Sequence, residues 1–329
     1  MTLFKSLIDM SSRASIRSLV ALAVSLCAIA GAEDVRAAPI TLGSASTYGV
    51  LVGSGDTLSL TGGFNLAGNI GIGKNSTVNL TGNNAIAGNA YEDSGITTNY
   101  TSGTTSLSGT IYTQSMSTAL SDATAASTAA QSLTKTTGLV DQGGSINLSG
   151  SSVTIKALTN LSENVLNISS LSLTNSTLTF DDNGYSNAKF IVNITGAFTV
   201  SSSGALKSLI QGINGASADD IIFNIEGTGS TVSITGNSTN QIIGTILAPK
   251  RSVTVGGGGS LTGAIIAGVN NAGTNYTVQN TTGGYNVTSL GYTPRTVINT
   301  PEPSSIAIFG AGVFALFGAR RRLRRLRQR

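Results

Sequence analysis

The stretch TLSLTGGFNLAGNIGIGKNSTVNLT, Thr57–Thr81, sets apolar residues two apart: Leu58 with Leu60, Phe64 with Leu66, Ile70 with Ile72 and Val78 with Leu80. A spacing of two puts each pair on one side of an extended chain, the signature of a strand with one buried face. Between the pairs stand Thr61-Gly62-Gly63, Gly68-Asn69 and Lys74-Asn75, with Gly82-Asn83 following. Gly and Asn accept left-handed backbone at little cost, so these are turns, and the strands between them are very short.

The same texture covers residues 40–112. It returns from 145 to 292, in Ile146/Leu148, Val153/Ile155, Asn164–Phe180, Lys189–Val200, Asp220–Ile225, Thr231–Ile234, Ile242–Leu247, Ser252–Val255 and Leu261–Ile266. It breaks once. Over 115–135, Met116, Ala119, Leu120, Ala123, Ala126, Ala130 and Leu133 recur at spacings of three and four. That predicts one helix with an alanine-rich stripe, suited to lying close on a flat surface, with Gly138 as its stop. Many short strands without a long linker predict one all-β body over 40–292. A sandwich, a barrel and a β-helix all fit the strand count. Composition favours the β-helix: aromatics are 5%, Trp is absent, and Asn, Ser and Thr suit stacked ladders.

The 329-residue chain has a formal charge of +4, but this describes its ends. Lys5, Arg13 and Arg17 lie near the start, and seven arginines lie in the last ten residues. Residues 33–319 carry nine basic and fourteen acidic side chains, so the body is mildly acidic and the basic ends are no case for a nucleic-acid partner. The sole cysteine, Cys27, falls in an apolar run over Leu19–Ile29. With the basic residues before it and the small-x-small site Ala30-Gly31-Ala32 after it, this run reads as a signal peptide over 1–32, cut by signal peptidase. Val35-Arg36-Ala37 is a second cleavage candidate. A body without thiols then relies on packing and hydrogen bonds in an oxidising compartment.

At the other end, a linker over 293–303 carries Pro301-Glu302-Pro303, then the apolar run 304–319, then a tail over 320–329 with Arg320, Arg321, Arg322, Arg324 and Arg325. As a helix, 16 residues span about 24 Å, short of a bilayer core of about 30 Å, and snorkelling arginines extend the reach. Arginines flanking a span favour the cytoplasmic side. This predicts a transmembrane helix over 304–319, a cytoplasmic tail, and a body outside the inner membrane. The order of motif, span and arginines resembles the PEP-CTERM sorting signal. That resemblance implies cleavage near Pro301-Glu302-Pro303 by an exosortase, after transient membrane anchoring, and delivery to the cell surface or an extracellular polysaccharide matrix.

A second resemblance lies in the body. Asp220-Ile221-Ile222-Phe223-Asn224-Ile225 leads to Gly244-Thr245-Ile246-Leu247-Ala248-Pro249 and then Gly263-Ala264-Ile265-Ile266-Ala267-Gly268. With Leu42-Gly43-Ser44-Ala45 and Gly68-Asn69-Ile70-Gly71-Ile72, these resemble the choice-of-anchor A and ice-binding-like adhesin domains. The latter implies a right-handed β-helix with one long α-helix packed alongside, which the 115–135 segment fits.

Catalytic chemistry is sparse. Without His, and with no Cys beyond the signal segment, histidine-based acid/base catalysis, thiolate attack and ordinary zinc sites lack their groups. Asp181 and Asp182, in Asp181-Asp182-Asn183-Gly184, are calcium candidates by oxygen chemistry, against a plain strand-ending turn. Asp219-Asp220 reads as a turn before a strand. Glu226 joined to either pair is a candidate for sugar binding or cleavage, with Lys250 and Arg251 as candidate bases. The run Gly68 to Asn75 nearly matches a phosphate loop, but Asn75 replaces the Mg²⁺-holding hydroxyl. Triplets such as Asn79-Leu80-Thr81 read as ladder and turn residues. The expectation is a non-enzymatic surface or matrix protein with no cofactor, contacting polysaccharide through rows of Ser, Thr and Asn. An ice-binding face including Thr57, Ser59, Thr77, Asn79 and Thr81, and a polysaccharide-cleaving β-helix enzyme, are the alternatives.

Overall fold

The computed structural model describes residues 39–294 except 103–104, 140–143, 159–162, 186–187, 237–239, 270–274 and 282. The signal segment with Ala30 and Ala32, the Pro301-Glu302-Pro303 motif, the 304–319 span and the arginine cluster lie outside the described residues.

The period-two pairs form the expected short strands, which assemble into three nine-stranded sheets. Sheet I includes Tyr48–Val52, Asn69–Ile72 and Lys189–Ile194; sheet II includes Thr57–Thr61, Thr77–Thr81 and Ser170–Thr174; sheet III includes Phe64–Ala67, Thr177–Asp181 and Ser260–Gly263. Successive strands visit I, II and III in turn, so three strands make one coil. Each coil stacks on the next through parallel ladders, as where Leu58 and Leu60 pair with Val78 and Leu80. The inward residues of all three sheets form one continuous core.

The coils are not stacked in chain order. Tyr48–Val52 lies between Asn69–Ile72 and Ile265–Ala267. The chain therefore starts in the middle of the stack and winds out to one end at Ile111–Thr113. It then returns through the helix Ser117–Ser132 and winds back from Ser145–Ser149, at the far end of sheet II, to close on its own first coil. Sixteen helical residues are about 24 Å long, which matches about five coil steps of 4.8 Å.

That helix lies on the outside of sheet I, which is apolar on both faces. In Lys189–Ile194, Phe190, Val192 and Ile194 point into the coil, while Ile191 packs in the helix layer. The predicted stripe is the buried one: Met116, Ala119, Leu120, Ala123, Ala126, Ala130 and Leu133 all face this layer. Alanine lets the helix backbone come close. The helix ends before Gly138, which is not its stop, although Gly138 has a φ of 95°. Leu133 adopts extended backbone and buries its side chain, turning the chain inward first.

Both ends of the body meet at the corner between sheets III and I. The Ile40 N–H donates to Glu163 Oε1 (3.2 Å), and Glu163 pairs in register with Lys189. Lys189 Nζ donates to Thr293 Oγ1 (3.2 Å) and forms an ion pair with Asp220. The Thr293 N–H donates to the Asp219 carbonyl (3.1 Å), and Tyr292 is buried beside Lys189.

Candidate binding surface

Leaving aside Thr97–Ser102, inward positions of sheet II are Leu, Ile, Val and Phe with the exception of Asn280. Its outward positions are a grid of hydroxyls and amides. The middle row runs Asn147, Ser172, Thr199, Ser233, Thr254, Gln279, Ser59 and Asn79 across eight coils, each joined to the next in register. At about 4.8 Å per step the row is about 34 Å long. Beside it lie Thr277, Thr57 and Thr77 on one side, and Thr61 and Thr81 on the other. The five residues expected to share a face, Thr57, Ser59, Thr77, Asn79 and Thr81, do so.

No outward position on the described strands of sheet II carries a charged side chain. Lys74 and Lys250 stand at its rim, in the turns between sheets I and II. Several of the hydroxyls are already linked along the stack. Ser170 Oγ donates to Ser145 Oγ (2.9 Å), Thr174 and Ser201 share a bond of 3.1 Å, and Gln279 Nε2 donates to Thr254 Oγ1 (3.0 Å). These bonds fix rotamers before any contact is made, which lowers the ordering cost of binding. Sheet III differs. Its outward side mixes Leu209, Ile243 and Ala67 with Thr and Gln, and has a Lys156–Asp181 pair at 3.9 Å.

The carboxylates singled out in the sequence do not gather. Asp181 accepts from the Asn214 side chain (2.8 Å) and the Asn183 N–H (2.8 Å), and these bonds hold its carboxyl below the usual range. Asp182 accepts from the Gly184 N–H (3.1 Å), so this segment is a strand-ending turn in which both side chains brace the backbone. Among the described residues no three His, Cys, Asp or Glu side chains come together as a metal site. Asp219 and Asp220 close a 3-10 turn with Ser217 through a capping box, beside Lys189. The stretch Gly68–Asn75 is a strand and a turn, with Asn75 at φ 59°, and not a phosphate-cradling loop before a helix.

Arg251, a candidate base in the sequence, is a structural clamp. It is 2% exposed, and its guanidinium donates to the carbonyls of Glu226, Gly227, Gly196, Ser230 and Thr195 at corner turns. Desolvation lowers its pKa, yet five carbonyl acceptors hold the charged form, and no proton is free to move from it. Glu226 and Lys250 do come together, at a cleft beside the helix. Burial pushes the Glu226 carboxyl up.

Two features carried no readable signal. Asp56 is buried at the corner leading into sheet II; its Oδ1 accepts the Tyr276 N–H (2.8 Å), and burial raises its pKa to about 7. Gly53 and Gly268 flank it so closely that a Cβ on either would lie 2.6 Å or 1.7 Å from Oδ2. The second is an asparagine ladder under the helix. Asn224 Nδ2 donates to Asn193 Oδ1 (2.8 Å) and Asn193 Nδ2 to Asn167 Oδ1 (3.0 Å), while Ser127 Oγ donates to Asn224 Oδ1 (2.6 Å). A buried Asn shows in a sequence only when its neighbours in space are known.

Comparison with known proteins agrees with this architecture. A family model described as "Putative Ice-binding-like adhesive domain" matches residues 28–276, and the PEP-CTERM protein-sorting motif matches 299–322. No curated protein matches the chain. Among solved structures, an ice-binding protein from an Antarctic biological consortium is similar at 22% identity and a TM-score of 0.50, over 77% of this chain and 92% of that one. Similar too are ice-binding proteins from the Antarctic ascomycete Antarctomyces psychrotrophicus (20% identity, 77% and 99% covered, TM-score 0.48) and from Shewanella frigidimarina (18%, 77% and 98%, TM-score 0.47). At 22% identity the likeness to the consortium protein is one of fold. The sorting motif marks an exported, cell-surface-associated protein and implies processing by an exosortase. With most of its length matched by one family model, the chain belongs to the ice-binding-like adhesive domain family.

Proposed function

We propose that this is a non-catalytic adhesin that uses the outward face of sheet II to hold a repetitive, hydroxylated surface, with exopolysaccharide as its first partner. The observation that carries this reading is the uncharged hydroxyl and amide grid of sheet II, continuous over eight coils. Each Ser, Thr or Asn contact is weak, but a polymer that engages many coils at once gains by effective concentration. An absence of charge suits a neutral polymer and avoids the desolvation cost of ions. The test is retention of the purified protein on a column of extracellular polysaccharide from the producing cells. Wild type is retained, and a variant with Ser59, Asn79 and Thr254 each replaced by Lys elutes at least tenfold earlier in affinity.

Ice adhesion is a second reading, favoured by the Thr277, Thr57 and Thr77 column in register on a face whose strands carry no charged side chain. Thermal hysteresis separates the two, since polysaccharide adhesion alone gives none. Hydrolytic or lyase activity is the reading set aside. Incubation with exopolysaccharide and Ca²⁺ is expected to release no unsaturated or reducing ends.

For the delivery route, we take residues 1–32 as removed by signal peptidase and 304–319 as a helix held transiently in the inner membrane by the arginines that follow. The protein then reaches the surface or extracellular matrix. The coil is taken as right-handed, as parallel crossover connections overwhelmingly are. A variant with Pro301, Glu302 and Pro303 all replaced by Ala is expected to stay in the cell envelope. Normal release of that variant argues against the route.

A further inference from the structure

We propose that the cleft between the helix and the corner of sheets I and II is a discrete binding site for a single neutral pyranose unit. Its volume is about 250 Å³, and its walls include Thr124, Ser127, Thr128 and Gln131 from the helix, and Glu226 and Lys250 from two stacked turns. This inference does not rest on the sheet II reading: the site is a different surface, and either can fail alone.

The chemistry of the walls selects the ligand. Glu226 and Lys250 are both half-buried, and among the described residues neither side chain makes an ion pair or a hydrogen bond. A carboxylate so placed has lost part of its water and gains most from two O–H donors side by side, which a vicinal diol supplies. Lys250 donates to sugar oxygens. The helix hydroxyls are committed as donors to protein acceptors: Thr124 to the Leu120 carbonyl (2.8 Å), Thr128 to the Thr124 carbonyl (3.0 Å) and Ser127 to Asn224 (2.6 Å). Ser127 Oγ also accepts from Gln131 Nε2 (3.4 Å), so Thr124 and Thr128 are the two hydroxyls left able to accept from a ligand rich in donors. One positive and one negative group leave the cleft without net charge, so neither sign of charged sugar is drawn in over a neutral one. Drug-sized pockets are roughly 300–1,000 Å³, so this cleft has room for about one ring.

Arg251, next to Lys250 in the chain, turns inward and ties the Glu226 and Gly227 carbonyls, fixing the two turns relative to each other. The cleft is thus built on braced backbone.

The test is saturation-transfer NMR on the full-length chain in detergent micelles, with methyl β-D-glucopyranoside as probe and β-alanine as a zwitterionic competitor. Saturable transfer at millimolar glycoside is expected. Glu226→Gln, which keeps shape but removes charge, is expected to weaken binding about tenfold, Lys250→Met about threefold, and Thr128→Phe, on the exposed side of the helix, to abolish it with an unchanged circular dichroism spectrum. No saturable transfer to wild type, transfer indifferent to both Glu226→Gln and Thr128→Phe, or displacement of the glycoside by β-alanine at lower concentration each overturns the assignment.

Discussion

The outward positions of sheet I carry Val165, Ile191, Ile222, Leu247 and Ile266, all buried in the layer that the helix and the 40–48 segment share, whereas those of sheet II carry Ser, Thr, Asn and Gln open to solvent. The backbone of the two sheets is the same parallel ladder with the same inward apolar core. Only the residue one position along decides whether a sheet becomes an inner layer or a surface. Asparagine marks the boundary between the two solutions. Asn79 on sheet II faces water, while Asn224 on sheet I is fully buried and survives there because the helix supplies a Ser127 hydroxyl and carbonyl. A binding face in this fold is therefore a sheet that the chain has left uncovered, and its chemistry can vary without disturbing the core behind it.

Substitutions that exchange the two characters should break the comparison most severely. Leu247→Asn puts a sheet II residue beneath the helix, losing a buried side chain and stranding an amide. A loss of about 3–5 kcal/mol is expected in urea unfolding. The next effect is at the corner where the chain passes from sheet I to sheet II. Asp56 has a folded pKa of about 7, well above the unfolded carboxyl near 3.9. Between about pH 4 and pH 7 the folded state then holds a proton that the unfolded state has released, so stability falls as pH rises through that window and is flat above it. The decline is expected to be on the order of 2–4 kcal/mol, read from urea midpoints across pH, and Asp56→Asn should flatten it.

Asn224→Ala comes third. It removes bonds to Ser127 and Asn193 inside the helix layer, and about 2 kcal/mol is expected to be lost. The matching change on sheet II, Asn79→Ala, should shift stability by less than about 0.5 kcal/mol and show itself only as weaker retention on polysaccharide. If the two Asn→Ala variants prove equally destabilising, the outward side of sheet II is not a bare face.

Strand existence was legible because a two-residue period needs only local sequence. Leu58, Leu60, Val78 and Leu80 announce their inward side without reference to any other part of the chain. The helix stripe was legible for the same reason. Which strands share a sheet was not, because coil length varies. Phe64 bonds to Asn84 across 20 residues, whereas Ser176 bonds to Ser208 across 32, so no fixed period emerges. Nor could the sequence reveal that the first coil closes on the last, since the pairing of Val50 with Ile265 depends on the whole stack having formed. For the face, Thr57, Ser59, Thr77, Asn79 and Thr81 could be named, but their coplanarity with Thr254 and Gln279 required the closed stack. Arg251 and Glu226 were visible as charges, and only the fold shows that one is spent on carbonyls while the other lines a cleft.

Ile40 is held by the end strand of sheet I, through Glu163, and Thr293 by the next two, through Lys189 and Asp219, and this decides how tension would pass through the protein. A solenoid pulled at its last coil can be peeled, one ladder at a time, because each rupture exposes the next. Here a tug on the exit segment reaches Thr293 first, where the Asp219 carbonyl and Lys189 grip it between coils that have neighbours on both sides. The end strand of sheet I, Glu163–Ile168, holds only the entry side, through Ile40. Ladders on either side of Lys189–Ile194 must give way together, which makes this tether harder to unravel than one on the outermost strand.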